Sequence, residues 1–315
     1  MRVLVTGATG FIGRHAAHAL VACGADVHAV SRRPPIATGV PAESGIVWHE
    51  GDLLRESVRA ELIARTKPDA LLHCAWYAEH GLFWHSPENI RWLSASLDLC
   101  LRFVECGGTR LLVSGTCAEY EWRADTGVYR EDSSATHPAT LYGVTKLALS
   151  QTLAALATEA RVSLAWGRLF WLYGPDEHPG RLVAAAARAL ATGTRFNATE
   201  GRQVRDFLHV ADAGAALATL LMSDVRGVVN IGSGEGVQVR DVVLRLAAAA
   251  GRPDLCSFDK PVPAREVPCV TADITRLRDD VGFAPARSLQ EGLDATLAWW
   301  RGQLRAGTQG RGDRI

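Results

Sequence analysis

The chain has 315 residues, 48% hydrophobic and 22% charged, with 34 basic and 34 acidic side chains and a formal net charge of zero. That length supports one large domain or two modest ones around a substantial core, and the composition excludes a disordered or fibrous protein. The balanced charge gives no electrostatic footprint for nucleic acid or an anionic membrane surface, and no apolar run reaches the ~18 residues of a membrane span.

Arg2 to Thr6 reads as a short apolar strand with no leader-like pattern before it, so a cytoplasmic protein without a signal peptide is expected. Phe11 to Ala22 reads as a helix, Ala25 to Arg32 as a second strand broken at Pro34 and Pro35, and Gly45 to Asp52 as a third. A helix follows from Leu53 to Thr66, ending before Pro68. "DALLHCAW" is a fourth strand, Pro87 to Cys106 a helix, and "TRLLVSGT" a fifth strand. "ATLYGVTKLALSQTLAALATEA" reads as a long helix and "VSLAWGRLFWLYGP" as a sixth strand with its exit turn. Strands alternating with helices, several of them apolar throughout, predict an α/β fold with a parallel sheet covered on both faces.

Beyond Pro175 the rhythm changes. An Ala-rich helix (Leu182–Ala191) precedes an irregular polar stretch, "GTRFNATEGRQVRDF". Val228 to Gly251 reads as strand, loop and helix, and a last helix covers about Leu289 to Leu304. The Gly- and Arg-rich residues 305–315 read as a flexible tail. Seven cysteines, an odd number with no C-x-x-C pair, read as scattered thiols of a reducing compartment. Lysine occurs only at Lys67, Lys146 and Lys260.

"VTGATGFIG" places Gly7, Gly10 and Gly13 between the first strand and the first helix. Glycine there serves a tight turn and close backbone approach to a pyrophosphate that rests on a helix N-terminus, with Phe11 and Ile12 at the helix start. At the end of the second strand an acid would bond a ribose hydroxyl and select NAD, whereas arginine accommodates a 2′-phosphate. This chain has Ser31, Arg32 and Arg33 there, with Arg14 nearby, so NADP is the expected cofactor and NAD the second choice. Asp52 and Leu53 of "GDL" are placed for the adenine, although an Asp at that point also caps a helix.

Tyr142 and Lys146 are four apart in a predicted helix and therefore share a face. A nearby ammonium is expected to lower the phenol from its ordinary value of about 10, making an acid/base suited to a hydroxyl proton. Ser114 and Thr116 deliver hydroxyls to the carboxyl end of the fifth strand, where parallel α/β sheets carry their sites. Thr116 is favoured as the substrate-facing one; strand-end hydroxyls also cap backbone.

The pieces "TGATGFIG", "GDL", "LLHCAW", "VSGTCAEY", "YGVTK", "GRLFWLYGP" and "RDFLHVADAG" stand in order across nearly all of residues 1–240. As a set they resemble the extended short-chain dehydrogenase/reductase family, in its group of nucleotide-sugar epimerases, dehydratases and ketoreductases. The resemblance implies a Rossmann-type doubly wound parallel sheet, in which residues 1–165 and about 205–235 bind NADP. Residues of about 166–204 and 236–304 would form a smaller, discontinuous part binding a nucleotide-diphosphate sugar. It further implies Tyr142, Lys146 and Thr116 as catalytic residues, Arg181 and Arg205 at the substrate diphosphate, and Asn89 as a loose match to a cofactor-side Asn. A homodimer through the helices holding Trp92 and Tyr142 is implied in the same way.

The chain also departs from that pattern. Trp171 stands where the family carries a substrate-contacting Asn, and Cys117 and Ala118 stand where 4,6-dehydratases carry an Asp-Glu pair. Dehydration is therefore disfavoured, and Glu119, one place too far along, reads as structural. The stretch "WYAEHGLFWHSPENIRW" would wall the sugar pocket with Tyr77, His80, Trp84 and His85, or form a packed loop or an oligomer contact. His80 and His85 have no third ligand nearby, and no metal is expected. The expected activity is NADPH-dependent reduction of a nucleotide-linked 4-keto-6-deoxy sugar, with Tyr142 giving the proton. The alternatives are an NAD-dependent nucleotide-sugar 4-epimerase and a non-catalytic NADP-binding regulatory protein.

Overall fold

The computed structural model describes residues 1–33, 45–262 and 266–309; the Pro34–Pro35 break and the end of the expected tail, 310–315, lie outside them. The first half of the chain alternates strand and helix: β1 (Arg2–Thr6), α1 (Gly13–Ala22), β2 (Asp26–Ser31), β3 (Ile46–Glu50), α2 (Glu56–Thr66) and β4 (Ala70–His73). Then come α3 (Glu88–Glu105), β5 (Arg110–Thr116), β6 (Val128–Tyr129), α4 (Leu141–Ala160) and β7 (Ser163–Leu169). The second half holds β8 (Trp171–Tyr173), α5 (Leu182–Ala191), β9 (Phe196–Thr199), β10 (Val204–His209), α6 (Val210–Met222) and β11 (Gly227–Ile231). It closes with β12 (Gly236–Gln238), α7 (Val239–Ala250), β13 (Cys256–Lys260), β14 (Cys269–Ala272), α8 (Thr275–Asp279) and α9 (Leu289–Gln309).

Seven strands make one parallel sheet in the order β11-β7-β5-β4-β1-β2-β3, a Rossmann-type arrangement wound outward from β1. Side-chain alternation along β1 shows how both faces are buried. Val3 and Val5 pack with Ala16 and Leu20 of α1 and Ala213 and Leu217 of α6. Leu4 packs on the other face, with Leu62 of α2, Leu99 and Phe103 of α3, and Leu149 and Leu153 of α4. Strand order reverses between β1 and β4, which places a ligand crevice at the carboxyl ends of those strands.

A second sheet runs β12-β10-β14-β6 with β8 beside β10, and a third pairs β13 with β9. Helices α5, α7 and α9 form a separate core through Val183, Leu190, Val242, Leu246, Leu293 and Leu297, closed by Tyr173 and Phe207. Asn230 of β11 ties the large sheet to the second one. Its amide nitrogen donates to the carbonyls of Tyr129 (2.9 Å) and Asp273 (3.2 Å), and its oxygen accepts from the Tyr120 hydroxyl at 2.8 Å. Its backbone N–H donates to Glu131 at 2.8 Å.

Several sequence boundaries move. α1 begins at Gly13 rather than Phe11, β3 stops at Glu50 before reaching Asp52, and α9 continues to Gln309, past Leu304. The sixth strand is two: it breaks at Phe170, where the chain leaves the large sheet for the second one. The stretch read as irregular contains β9 and β10. β10 hid its character because Arg205 and Asp206 are charged yet buried. Asp206 is saturated by the backbone N–H groups of Ser233, Gly234 and Ala272, at 2.6, 2.9 and 3.1 Å. Among the described residues no helix is long and apolar enough to cross a membrane.

Candidate active site

Gly7 has φ +68°, and a Cβ there would lie 2.8 Å from the Ala75 amide nitrogen after β4. At Gly13 a Cβ would stand 2.2 Å from the Gly7 carbonyl oxygen. The turn therefore closes only with glycine at both places. Phe11 and Ile12 lead into the N-terminus of α1, where free backbone N–H groups favour an anion. Beside the loop lies an open cleft of about 390 Å³ lined by Thr9, Ser31, Arg32 and Arg33. Ser31 is buried and accepts from the Arg33 N–H at 3.3 Å, while both arginines are exposed. Asp52 accepts from the Leu54 N–H at 3.0 Å in the turn before α2, whose N-cap is Arg55, with Leu53 buried beside it.

Arg14 does not reach this cleft. Its guanidinium is paired with Asp176, 162 residues away in the exit loop of β8.

The Tyr142 side chain is half-buried at the start of α4, with the Thr116 side chain near enough to act on its phenol. Burial raises the phenol above its ordinary value, and the neighbouring Thr116 side chain opposes that rise. The expected lowering by Lys146 is corrected here: burial dominates, and the cation that opposes it is Arg181 rather than Lys146. Lys146, only 2% exposed, donates from Nζ to the Ser114 carbonyl at 2.9 Å and lies 4.0 Å from the centroid of the Trp76 ring. Burial pulls this lysine down to about 8, opposed by the charge of Glu119. Of the two strand-end hydroxyls, Ser114 is turned inward, donating to the His73 carbonyl at 3.3 Å; Thr116 accepts from the Ala118 N–H at 3.2 Å and lies near enough to act on the phenol.

Glu119 is fully buried. It accepts from Arg168 at 2.7 Å, from the Trp166 indole at 3.0 Å and from the Thr116 N–H at 2.8 Å. Both oxygens are committed to these structural donors, and the neighbouring Cys117 and Ala118 are buried as well. Asn89 is equally committed. Its oxygen accepts from the Trp76 indole at 2.8 Å, and its nitrogen donates to the carbonyls of Phe83 (2.7 Å) and Ser86 (2.9 Å). It pins the loop after β4 and offers nothing to a cofactor.

Aromatic side chains line the path from Tyr142 to Arg205. Phe83 and Trp84 meet the Tyr142 ring edge-on, with centroids at 5.0 and 5.8 Å. Trp84 is followed by Trp122 at 6.4 Å and Trp171 at 5.5 Å, and the Arg205 guanidinium sits 5.1 Å from the Trp171 ring. Arg205 is buried and also paired with Glu266. Arg181 pairs with Glu177 at 3.0 Å and lies close enough to act electrostatically on Tyr142. Tyr77 is turned away toward Glu79, at 3.2 Å. His80 stacks on His178 at 4.9 Å rather than joining His85. Among the described residues no group of three or more His, Cys, Asp or Glu is placed to hold a metal.

The profile of the NAD dependent epimerase/dehydratase family matches residues 3–232. The chain belongs to that family. It is 28% identical over 334 aligned positions to a UDP-glucose 4-epimerase of Azospirillum brasilense, covering 95% of this chain and 92% of that one. The solved structure of MoeE5 in complex with UDP-glucose and NAD is 31% identical, covering 96% of this chain and all of that one, with a TM-score of 0.83. The UDP-glucose 4-epimerase of Thermus thermophilus in complex with NAD is 26% identical, covering 96% of this chain and 99% of that one, also with a TM-score of 0.83.

Two residues of this epimerase/dehydratase family member went unread in the sequence. Trp76 follows the fourth strand directly in "LLHCAW", yet its contact with Lys146 is made only across the fold. Glu177 is 3% exposed, with Oε2 lacking a hydrogen-bond partner among the described residues. Burial raises its carboxyl to about 7. It sits in an exit loop, where nothing local distinguishes a buried carboxylate from a solvated one.

Proposed function

We propose that this protein is an NAD-dependent nucleotide-sugar 4-epimerase acting on a UDP-hexose. The observation that carries the reading is likeness along nearly the whole chain to relatives named as UDP-glucose 4-epimerases, joined to the Thr116–Tyr142–Lys146 cluster at the sheet's ligand edge. A nucleotide-sugar ketoreductase using NADPH, the activity favoured from the sequence alone, becomes the second reading; Arg32 and Arg33 in the cleft beside the glycine turn are what favours it. The dinucleotide fits in either case, because the Gly7–Gly13 turn, which closes only with glycine at both places, delivers the chain to the N-terminus of α1, where a pyrophosphate is favoured.

In this reading Gly7, Gly10, Phe11, Ile12 and Gly13 cradle the pyrophosphate, Ser31, Arg32 and Arg33 border the adenosine ribose, and Asp52 and Leu53 face the adenine. When bound, the dinucleotide supplies a reversible hydride acceptor for C4 of the sugar. Tyr142 takes the proton from the C4 hydroxyl as that carbon is oxidised and returns it to the same oxygen on re-reduction. Thr116 orients the phenol, and Lys146, one helical turn along, offsets the charge of the phenolate. Arg181 and Arg205 are suited to the diphosphate, their planar forks matching its oxygens, with Trp84, Trp122 and Trp171 walling the sugar between. The large sheet serves the cofactor, and β8, β10 and α5 bring the substrate side. We infer a homodimer through α3 and α4, which pack on each other and leave Ile90, Leu101 and Val144 exposed.

The test is to denature the purified protein, identify the released cofactor, and follow UDP-glucose by NMR. Retained NAD and interconversion with UDP-galactose are expected. Exchangeable NADPH, with turnover only of a 4-keto sugar nucleotide, would replace this reading with the reductase. Specific NADP binding without turnover of either substrate would leave the regulatory alternative.

A further inference from the structure

We propose that Trp76, locked in place by Asn89, is a positioning residue for Lys146, its indole face holding the ammonium in a site stripped of water. The ring centroid lies 4.0 Å from Nζ, while Ser114 supplies one carbonyl acceptor at 2.9 Å. The indole cannot swing away, because its N–H donates to Asn89, whose amide is completely buried and whose nitrogen is held by two loop carbonyls. An aromatic face attracts a cation most strongly when the pair is desolvated, and tryptophan does so best.

Of the other groups facing Lys146, Glu119, in the turn after β5, is the one whose charge supports it, and that charge is shared with Arg168 and Trp166. His73 of β4 is kept neutral, pulled down to about 3 by burial and by Lys146 itself. The Cys74 thiol is pushed up to about 12 by burial, so it too is neutral. Tyr142, on the same helix, has its phenol raised above the ordinary value by burial. Without the indole face, burial has less to oppose it, and the lysine loses its proton at lower pH. The consequence for turnover rests on Lys146 being the catalytic lysine; the titration itself does not.

The three lysines make that titration direct. Protein labelled with ¹³C at lysine Cε gives three NMR signals, and Lys146→Met identifies the one of interest. Trp76→Leu is expected to lower the Lys146 midpoint by about one pH unit, with Lys67 and Lys260 unmoved. Trp76→Phe, which keeps a weaker π face, is expected to lower it by less, and it decides the matter if the leucine variant does not fold. An identical Lys146 midpoint in wild type and Trp76→Phe, or in wild type and a folded Trp76→Leu, overturns the proposal. No sugar nucleotide is needed, so the result stands apart from whether the protein epimerises one. In an active enzyme the alkaline limb of the kcat–pH profile should move with the same midpoint.

Discussion

Tyr142→Phe is expected to reduce kcat for UDP-glucose epimerisation by about 10² to 10⁴-fold, the range of a lost general acid–base group, with KM and cofactor content little changed. The substitution removes one oxygen and leaves the ring between the edges of Phe83 and Trp84, so the packing that seats the residue survives. The Thr116 hydroxyl keeps its bond from the Ala118 N–H. The comparison is made on enzyme of matched cofactor occupancy, following UDP-galactose by NMR. A variant keeping more than about a tenth of the wild-type kcat would mean that another group handles the C4 proton, against the usual size of such contributions.

Glu119→Ala is expected to cost about 3–5 kcal/mol of stability, as when one partner of a buried ion pair is removed. The change strands Arg168, itself 4% exposed, and leaves the Trp166 indole and the Thr116 N–H without their acceptor. Glu119→Gln keeps acceptors for Trp166 and Thr116 but no charge for Arg168, so it should fall between. Urea unfolding of the three proteins measures this directly. A loss below about 1 kcal/mol for the alanine variant, the scale of exposed pairs, would show that water reaches Arg168 and that the pair is not sealed. Because Glu119 also accepts from the Thr116 N–H, the alanine variant should be catalytically impaired at temperatures where it is still folded.

What the sequence revealed and what it withheld divide along one line. The glycine turn was legible because its requirement is local: residues 7 and 13 must approach one another within a few residues of chain. Tyr142 and Lys146 were legible because a helix brings i and i+4 together by itself. Arg14 was misplaced because Asp176 claims it from 162 residues away. Asn89 was misassigned because its partners, Trp76 above all, meet it only once the loop after β4 folds back. β10 was missed because its two buried charges find their counterparts in β14 and the turns after β11 and before β14. The choice between NAD and NADP turned on Arg32 and Arg33, whose exposed side chains border the cleft beside the glycine turn.

Asn230 has a bearing on how this molecule comes apart. Its amide is enclosed by Tyr120, the Tyr129 carbonyl and the Asp273 carbonyl, and its backbone N–H by Glu131, so one residue of the large sheet is spliced into the second sheet. Drawing the sheets apart would strand several buried polar groups at once, each costing about 1–3 kcal/mol. Neither half has a cheap way to melt while the other stands, and heat therefore finds a single cooperative unit where the chain looks, on paper, like two.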